Sequence, residues 1–161
     1  MVREKIPATN AVRFLKEKKV NFNHYFYTFK KEDVAKGAAI EVGVSAHEVV
    51  KTLVMEDENK EPLIILMHGD MRVSTKCLAR KIRKKTVKPT DQKTAEKLTG
   101  YLVGGISPFG TRKELPVYVE ETILHLPLIY INGGRRGFLI EIAPSDLLRL
   151  LEPTCVNVAI Q

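Results

Sequence analysis

Two β-rich runs, Thr52 to Glu56 and Pro62 to His68, flank the four polar residues Asp57-Glu58-Asn59-Lys60, and no other feature of the chain constrains its fold as much. Such runs joined by a short turn-forming segment read as a hairpin. A hairpin commits its strands to antiparallel pairing, which argues against a doubly wound parallel sheet.

The rest of the pattern surrounds that hairpin with helices and further strands. Helical spacing covers Thr9 to Lys19, with Thr9 or Asn10 as its cap, and Glu32 to Val42, which closes at Gly43. It returns at Ser74 to Lys85, at Asp91 to Thr99 before Gly100, and at Pro144 to Leu151. Ser45-Ala46-His47-Glu48 matches a capping box and predicts a short helix that delivers Val49 and Val50 into the core. Extended segments are predicted at Asn21 to Phe29, Val117 to Val119, Leu128 to Asn132 and Phe138 to Ile142. The irregular interleaving predicts an α+β fold, a mixed, mostly antiparallel sheet surrounded by helices, as one domain over residues 1–161.

Composition agrees with a globular chain, at 44% hydrophobic and 28% charged residues. The longest apolar run, Leu63 to Met67, is far too short to span a bilayer, and Met1 to Pro7 lacks the apolar stretch of a secretory signal. A cytoplasmic protein without membrane contact is expected. Cys77 and Cys155, and His24, His47, His68 and His125, stand at no metal-ligand spacing, so neither a metal nor a cofactor is expected.

Charge points to a polyanionic partner. The formal net charge is +7, and Lys76, Arg80, Lys81, Arg83, Lys84, Lys85 and Lys88 follow one another without an intervening acid. A nucleic acid fits such a stripe, and a solvated helix face is the alternative.

The segment Gly100-Tyr101-Leu102-Val103-Gly104-Gly105-Ile106-Ser107-Pro108-Phe109-Gly110 reads as a short apolar strand followed by a glycine-proline loop. Its glycines forgo packing either for a tight connection between strands or for the close approach of another molecule to main-chain N–H groups. They match neither a phosphate-binding loop nor a dinucleotide fingerprint. Lys51 follows an apolar pair at the expected junction of helix and strand, where it holds an anion such as a phosphate or snorkels from a strand edge. No serine or cysteine has a recognisable base partner.

Val50-Lys51-Thr52-Leu53-Val54, Thr99 to Gly110 and Ile129-Tyr130-Ile131-Asn132-Gly133-Gly134-Arg135-Arg136-Gly137 together closely resemble the YbaK family of aminoacyl-tRNA deacylases, in order and separation. The resemblance runs from the first helix to the last. Members look like the editing domain inserted in bacterial prolyl-tRNA synthetases and hydrolyse cysteine mischarged on proline tRNA. The resemblance implies a partly barrel-like sheet and a metal-free pocket in which the substrate's own thiol assists ester cleavage. By it, Lys51, Gly104 and Tyr27 carry catalysis. Tyr25, Gly105, Ile106, Ser107, Pro108, Asn132, Gly133 and Gly134 bind substrate, while the basic stripe itself, through Lys76, Arg80, Lys81, Lys84 and Lys85, is expected to contact tRNA.

The implied partners are the acceptor end of a mischarged proline tRNA and a prolyl-tRNA synthetase. The chain departs from the family pattern at Leu139 and Asn132, where polar Asp or Ser and a serine-like residue are expected. It departs again in the shorter Lys30 to Lys36 region, which lacks the pocket phenylalanine. These changes leave open a deacylase for another small amino acid, such as alanine on proline tRNA, and a non-catalytic tRNA- or synthetase-binding module.

Overall fold

The computed structural model describes residues 5–161. In chain order they form α1 (Asn10–Glu17), β1 (Asn23–Phe26), α2 (Val34–Val42), a 3-10 turn (Ala46–Glu48), β2 (Val49–Asp57), β3 (Pro62–His68), β4 (Arg72–Val73) and α3 (Thr75–Lys81). There follow β5 (Val87–Pro89), α4 (Gln92–Thr99), β6 (Val117–Glu120), a second 3-10 helix (Glu121–His125), β7 (Ile129–Asn132), β8 (Phe138–Ile142), α5 (Pro144–Leu151), β9 (Thr154–Val156) and β10 (Ala159–Ile160). The fold is a mixed α+β domain with a mostly antiparallel sheet and helices around it.

The predicted hairpin is the centre of the sheet, whose strands run β1-β8-β7-β2-β3-β6-β9, with β5 also paired to β2. β2 and β3 are antiparallel, Val50 opposite His68 through Glu56 opposite Pro62. Asp57, itself buried, closes the turn by accepting from the amides of Asn59 and Glu61, at 2.8 and 3.0 Å. Alternation along these strands divides the core. Val50, Val54, Ile64 and Leu66 pack with Leu15, Phe109, Ile131 and Ile140, while Met55, Ile65 and Met67 pack with Leu78 and Ala79 of α3. β4 and β10 form a separate pair, and buried Glu120 accepts from the amides of Val158 and Ala159 to hold the C-terminal segment.

One edge of β2 is left incomplete. Against β3 it is paired along nearly its whole length, but on its other side β7 pairs only with Val49 and Val50, and β5 only with Met55 to Asp57. Lys51 to Val54 have no strand on that side, and the gap becomes the site described below.

Three local expectations are corrected. The basic helix stops at Lys81, not Lys85, because Arg83 takes left-handed backbone (φ 61°) and Val87 is drawn into pairing with Asp57. The Ser45 capping box is present, yet it starts a single 3-10 turn that runs straight into β2, so Lys51 lies inside the strand. Tyr101 to Val103 is not a strand. The Tyr101 hydroxyl donates to the Phe109 carbonyl at 2.6 Å and the Val103 amide to the Glu96 carboxylate at 2.8 Å, which folds the loop onto itself. Strands β4, β5, β9 and β10 span two or three residues, too few to show periodicity.

Phe109 anchors the loop, fully buried and stacked on Phe14 with ring centroids 5.9 Å apart. Phe109→Ala is expected to cost about 3–5 kcal/mol of stability in urea unfolding. A loss below about 1 kcal/mol would mean that the loop is held by its hydrogen bonds alone.

Candidate active site

The gap in the sheet opens into a cavity of about 610 Å³. Its walls are Val49 to Met55 of β2, the start of α2 with Asp33, Val34, Ala35 and Ala38, and Pro89, Thr90, Gln92 and Ala95 at the far end. Tyr27, Gly69, Val103, Gly104, Ile106, Asn132 and Leu139 complete it. The volume lies in the range that encloses a small molecule or one nucleotide, and the lining is mainly apolar with a few polar groups.

Lys51 is the cation of this cavity. Its Nζ donates to the Met71 carbonyl at 2.5 Å, and burial draws its pKa below the ordinary lysine value despite the opposing pull of Asp33 and Asp70. The ammonium is therefore tethered and partly dehydrated, which strengthens its attraction for an anion. Asp33 is the carboxylate among the lining residues. It precedes α2 in left-handed backbone (φ 44°), is exposed, and makes no side-chain cap bond. Tyr27 is 8% exposed, and burial raises its phenol pKa.

The Gly104 loop is held against the cavity by side chains that sequence reasoning did not single out for that task. Asn132 Nδ2 donates to the Gly104 carbonyl at 3.2 Å, while its Oδ1 accepts from the amides of Gly134 and Arg135, at 2.7 and 3.1 Å. Arg136 Nε donates to the Val103 carbonyl at 2.9 Å, and its guanidinium lies 4.8 Å from the centre of the Phe29 ring. Gly104 has φ 94°, and a Cβ there would meet the Phe29 ring at 2.5 Å. Gly105 donates its amide to Leu102. Those of Gly104 and Ile106 have no partner among the described residues. Glycine spacing predicted a special loop and Arg136 stands in the Ile129–Gly137 motif, but Phe29, from a distant segment, carried no sequence signal.

Of the sequence candidates, Lys51, Tyr27, Gly104, Ile106 and Asn132 meet at the cavity. The others do not reach it. Tyr25 gives its hydroxyl to Glu141 at 2.8 Å. Ser107 is fully buried, with its Oγ accepting from the Phe109 amide, and Pro108 is buried beside it. Gly105 lies against the Arg135–Arg136 backbone. Gly133 and Gly134 pack under Phe138, Tyr101 and Thr9, and the Gly133 carbonyl accepts from the Thr9 hydroxyl. These residues shape the loops instead of lining the cavity, because their backbone must pass close to other chain segments.

Lys76, Arg80, Lys84 and Lys85 line a shallower cleft of about 450 Å³ with Thr75, Thr86 and Val87, and Lys81 is exposed at the end of α3 outside that lining. Lys84 is committed in part to Asp57, at 3.3 Å. Val87 of β5 lines the cleft and Pro89 lines the cavity, with Lys88 alone between them, a step of about 7 Å at strand rise. His47, His68 and Asp70 also converge within 4.8 Å. The His68 ring nitrogens already face the His47 carbonyl and the Thr122 hydroxyl, each at 2.7 Å, and its ring stacks on that of His47. No helix among the described residues is long and apolar enough to cross a membrane.

A deep cleft beside a basic one, with a cation and a glycine loop at its wall, is an arrangement suited to a charged RNA end. Residues 31–150 match the aminoacyl-tRNA editing domain, and the chain belongs to that family. It is 32% identical over 143 residues to EbsC of Enterococcus faecalis, provisionally named a Cys-tRNA(Pro)/Cys-tRNA(Cys) deacylase, across 88% of this chain and 87% of that protein. Two solved structures share the fold. The hypothetical protein APE2540 aligns with a TM-score of 0.85 at 24% identity, over 94% of this chain and 99% of its own. A protein provisionally described as a trans-editing enzyme for prolyl-tRNA synthetase aligns at 0.81 and 23%, over 97% and 100%.

The positive φ of Gly104 and the nearby Phe29 ring mean that Gly104→Ala strains the fold as well as the site. A loss of about 1–3 kcal/mol is expected in denaturant melts. Adding Phe29→Ala should recover only the steric part, and full recovery would show that the backbone conformation itself costs nothing.

Proposed function

We propose that the protein is a trans-editing deacylase that hydrolyses the aminoacyl ester of a mischarged tRNA, with Cys-tRNA(Pro) as its substrate. The observation that carries this reading is the lining of one cavity by both the tethered Lys51 and Gly104, within a chain of the editing family. The lining contains no His, Cys or Ser, so catalysis rests on binding geometry and main-chain donors instead of a nucleophile–base pair. Lys51 holds the phosphate of the terminal adenosine, and Tyr27 walls the aminoacyl end. The free amides of Gly104 and Ile106 are available to the oxygen on which charge develops as the ester carbonyl is attacked. Asn132 acts as a positioning residue for that loop. Support for the cysteine substrate comes from the likeness to EbsC, and the family resemblance adds a role for the substrate thiol in assisting cleavage of the ester by water.

The acceptor stem lies along Lys76, Arg80 and Lys85, close enough to β5 for the terminal nucleotide to enter the cavity. Phosphate contacts of this kind place the stem without reading its sequence, so the choice of tRNA falls to a partner such as prolyl-tRNA synthetase. The direct test is ester hydrolysis by the purified protein on proline tRNA charged with cysteine, alanine or proline. Cysteine should be released fastest, and preferential release of alanine would reassign the substrate.

Lys51→Ala should fold normally and lose about ten- to a hundredfold in deacylation, the worth of one charge-assisted contact. Wild-type turnover by the folded variant would remove Lys51 from the reaction. Neutralising Lys76, Arg80 and Lys85 to Gln should flatten the salt dependence of tRNA affinity by up to about 0.9 in log–log slope for each phosphate left without its cation. An unchanged slope would place the RNA elsewhere.

A further inference from the structure

The incomplete edge of β2 carries main-chain groups with nowhere to bond. Two hydrogen bonds establish which residues face it. The Val49 carbonyl accepts from Gly69, on the β3 side, whereas the Val54 carbonyl accepts from Thr90, on the opposite side. Successive residues of a strand direct their N–H and C=O groups alternately to its two edges. Val50, Thr52 and Val54 therefore present theirs to the gap. β7 pairs with Val50 and stops there, and Thr90 takes only the Val54 carbonyl. The N–H and C=O of Thr52 and the N–H of Val54 are left without partners among the described residues. The Thr52 hydroxyl, inaccessible to solvent, also has none. Unpaired main-chain groups away from bulk water are uncommon and costly, and a run of them along a cavity wall marks a place for a ligand.

We infer that this stretch of β2 reads a nucleobase, the adenine of the 3′-terminal nucleotide, through its main chain. The Thr52 carbonyl accepts from the 6-amino group, and the Val54 amide two residues on donates to ring nitrogen N1. An acceptor and a donor on alternate residues of one strand edge match the adjacent donor and acceptor on adenine's pairing edge. Guanine and hypoxanthine present the reverse order at those two positions. The gap of four residues, about 13 Å long, is walled by α2, α4 and the Gly104 loop and fits one base with its sugar better than an added strand. Apolar Val50, Val54, Leu53 and Ala95 offer the ring its faces, and Lys51 on the same strand supplies a cation for the nucleotide's phosphate. The inference rests on the proposed RNA substrate for its choice of adenine, but the recognition itself is independent of ester hydrolysis.

Amide-resolved NMR of the 18.2 kDa protein tests it with adenosine 5′-monophosphate, inosine 5′-monophosphate and purine riboside 5′-monophosphate as probes. The adenine nucleotide should shift the Thr52 and Val54 amides most. The other two, which lack the 6-amino donor, should bind at least tenfold more weakly. Equal binding of the three nucleotides, no binding of any at millimolar concentration, or shifts that spare Thr52 and Val54 would overturn the inference. Adenine-selective binding by a protein that releases no amino acid from tRNA would instead overturn the deacylase reading and leave this one standing.

Discussion

Everything about the site follows from the uneven pairing of β2. A central strand buried on both faces is normally bonded along both edges, because orphaned peptide groups in the interior are expensive. Here β3 satisfies one edge, while β7 and β5 meet the other only at its two ends. The intervening residues are kept apart from any other strand by α2 on one side and by Thr90, α4 and the Gly104 loop on the other. The protein thus places a cavity in the most rigid part of its fold, where bound groups meet backbone whose position is set by the sheet.

The loops around that cavity are tied down by a few strong local contacts. Burial pushes the Tyr101 hydroxyl up to about 12, so it stays protonated as it donates to the Phe109 carbonyl. Asn132 bonds two loops at once, and Arg136 reaches from the Gly133–Gly137 turn to the Val103 carbonyl. Such cross-bracing suits the main-chain donors proposed for the site, since a displaced amide would contribute nothing to an oxyanion. It also explains why several glycines and Ser107 that stand in the most distinctive sequence stretch touch no cavity. They allow the bracing segments to approach one another.

Charge is divided between two clefts with different duties. The basic cleft of α3 is shallow and exposed, suited to screened, sequence-independent contact with a phosphate backbone. The cavity holds one tethered lysine and one uncapped aspartate, a spare arrangement in which a single charge is felt strongly. β5 joins the two and leads from one to the other within three residues.

The amino-acid order alone determined the hairpin, the helices capped by Thr9 and Asp91, the helix that Pro144 begins, and the special character of the Gly100–Gly110 stretch, since all of these are written in spacings of two to eleven residues. It also identified Lys51 and Tyr27, through a local pattern that resembles a known family. The tertiary structure decided which candidates face the cavity. Tyr25 and Tyr27 share one face of the strand predicted over Asn21 to Phe29, but β1 ends at Phe26 and only Tyr25 finds Glu141, a partner 116 residues away. Phe29 and Asp33 are ordinary residues in sequence and Arg136 is legible only as part of a motif, and the roles of all three arise from the meeting of α2, the Gly104 loop and the β7–β8 turn. The open edge of β2 could not have been read from the chain at all, because the absence of a partner is a property of where β5 and β7 stop, and strand ends are set by long-range packing, not by local propensity.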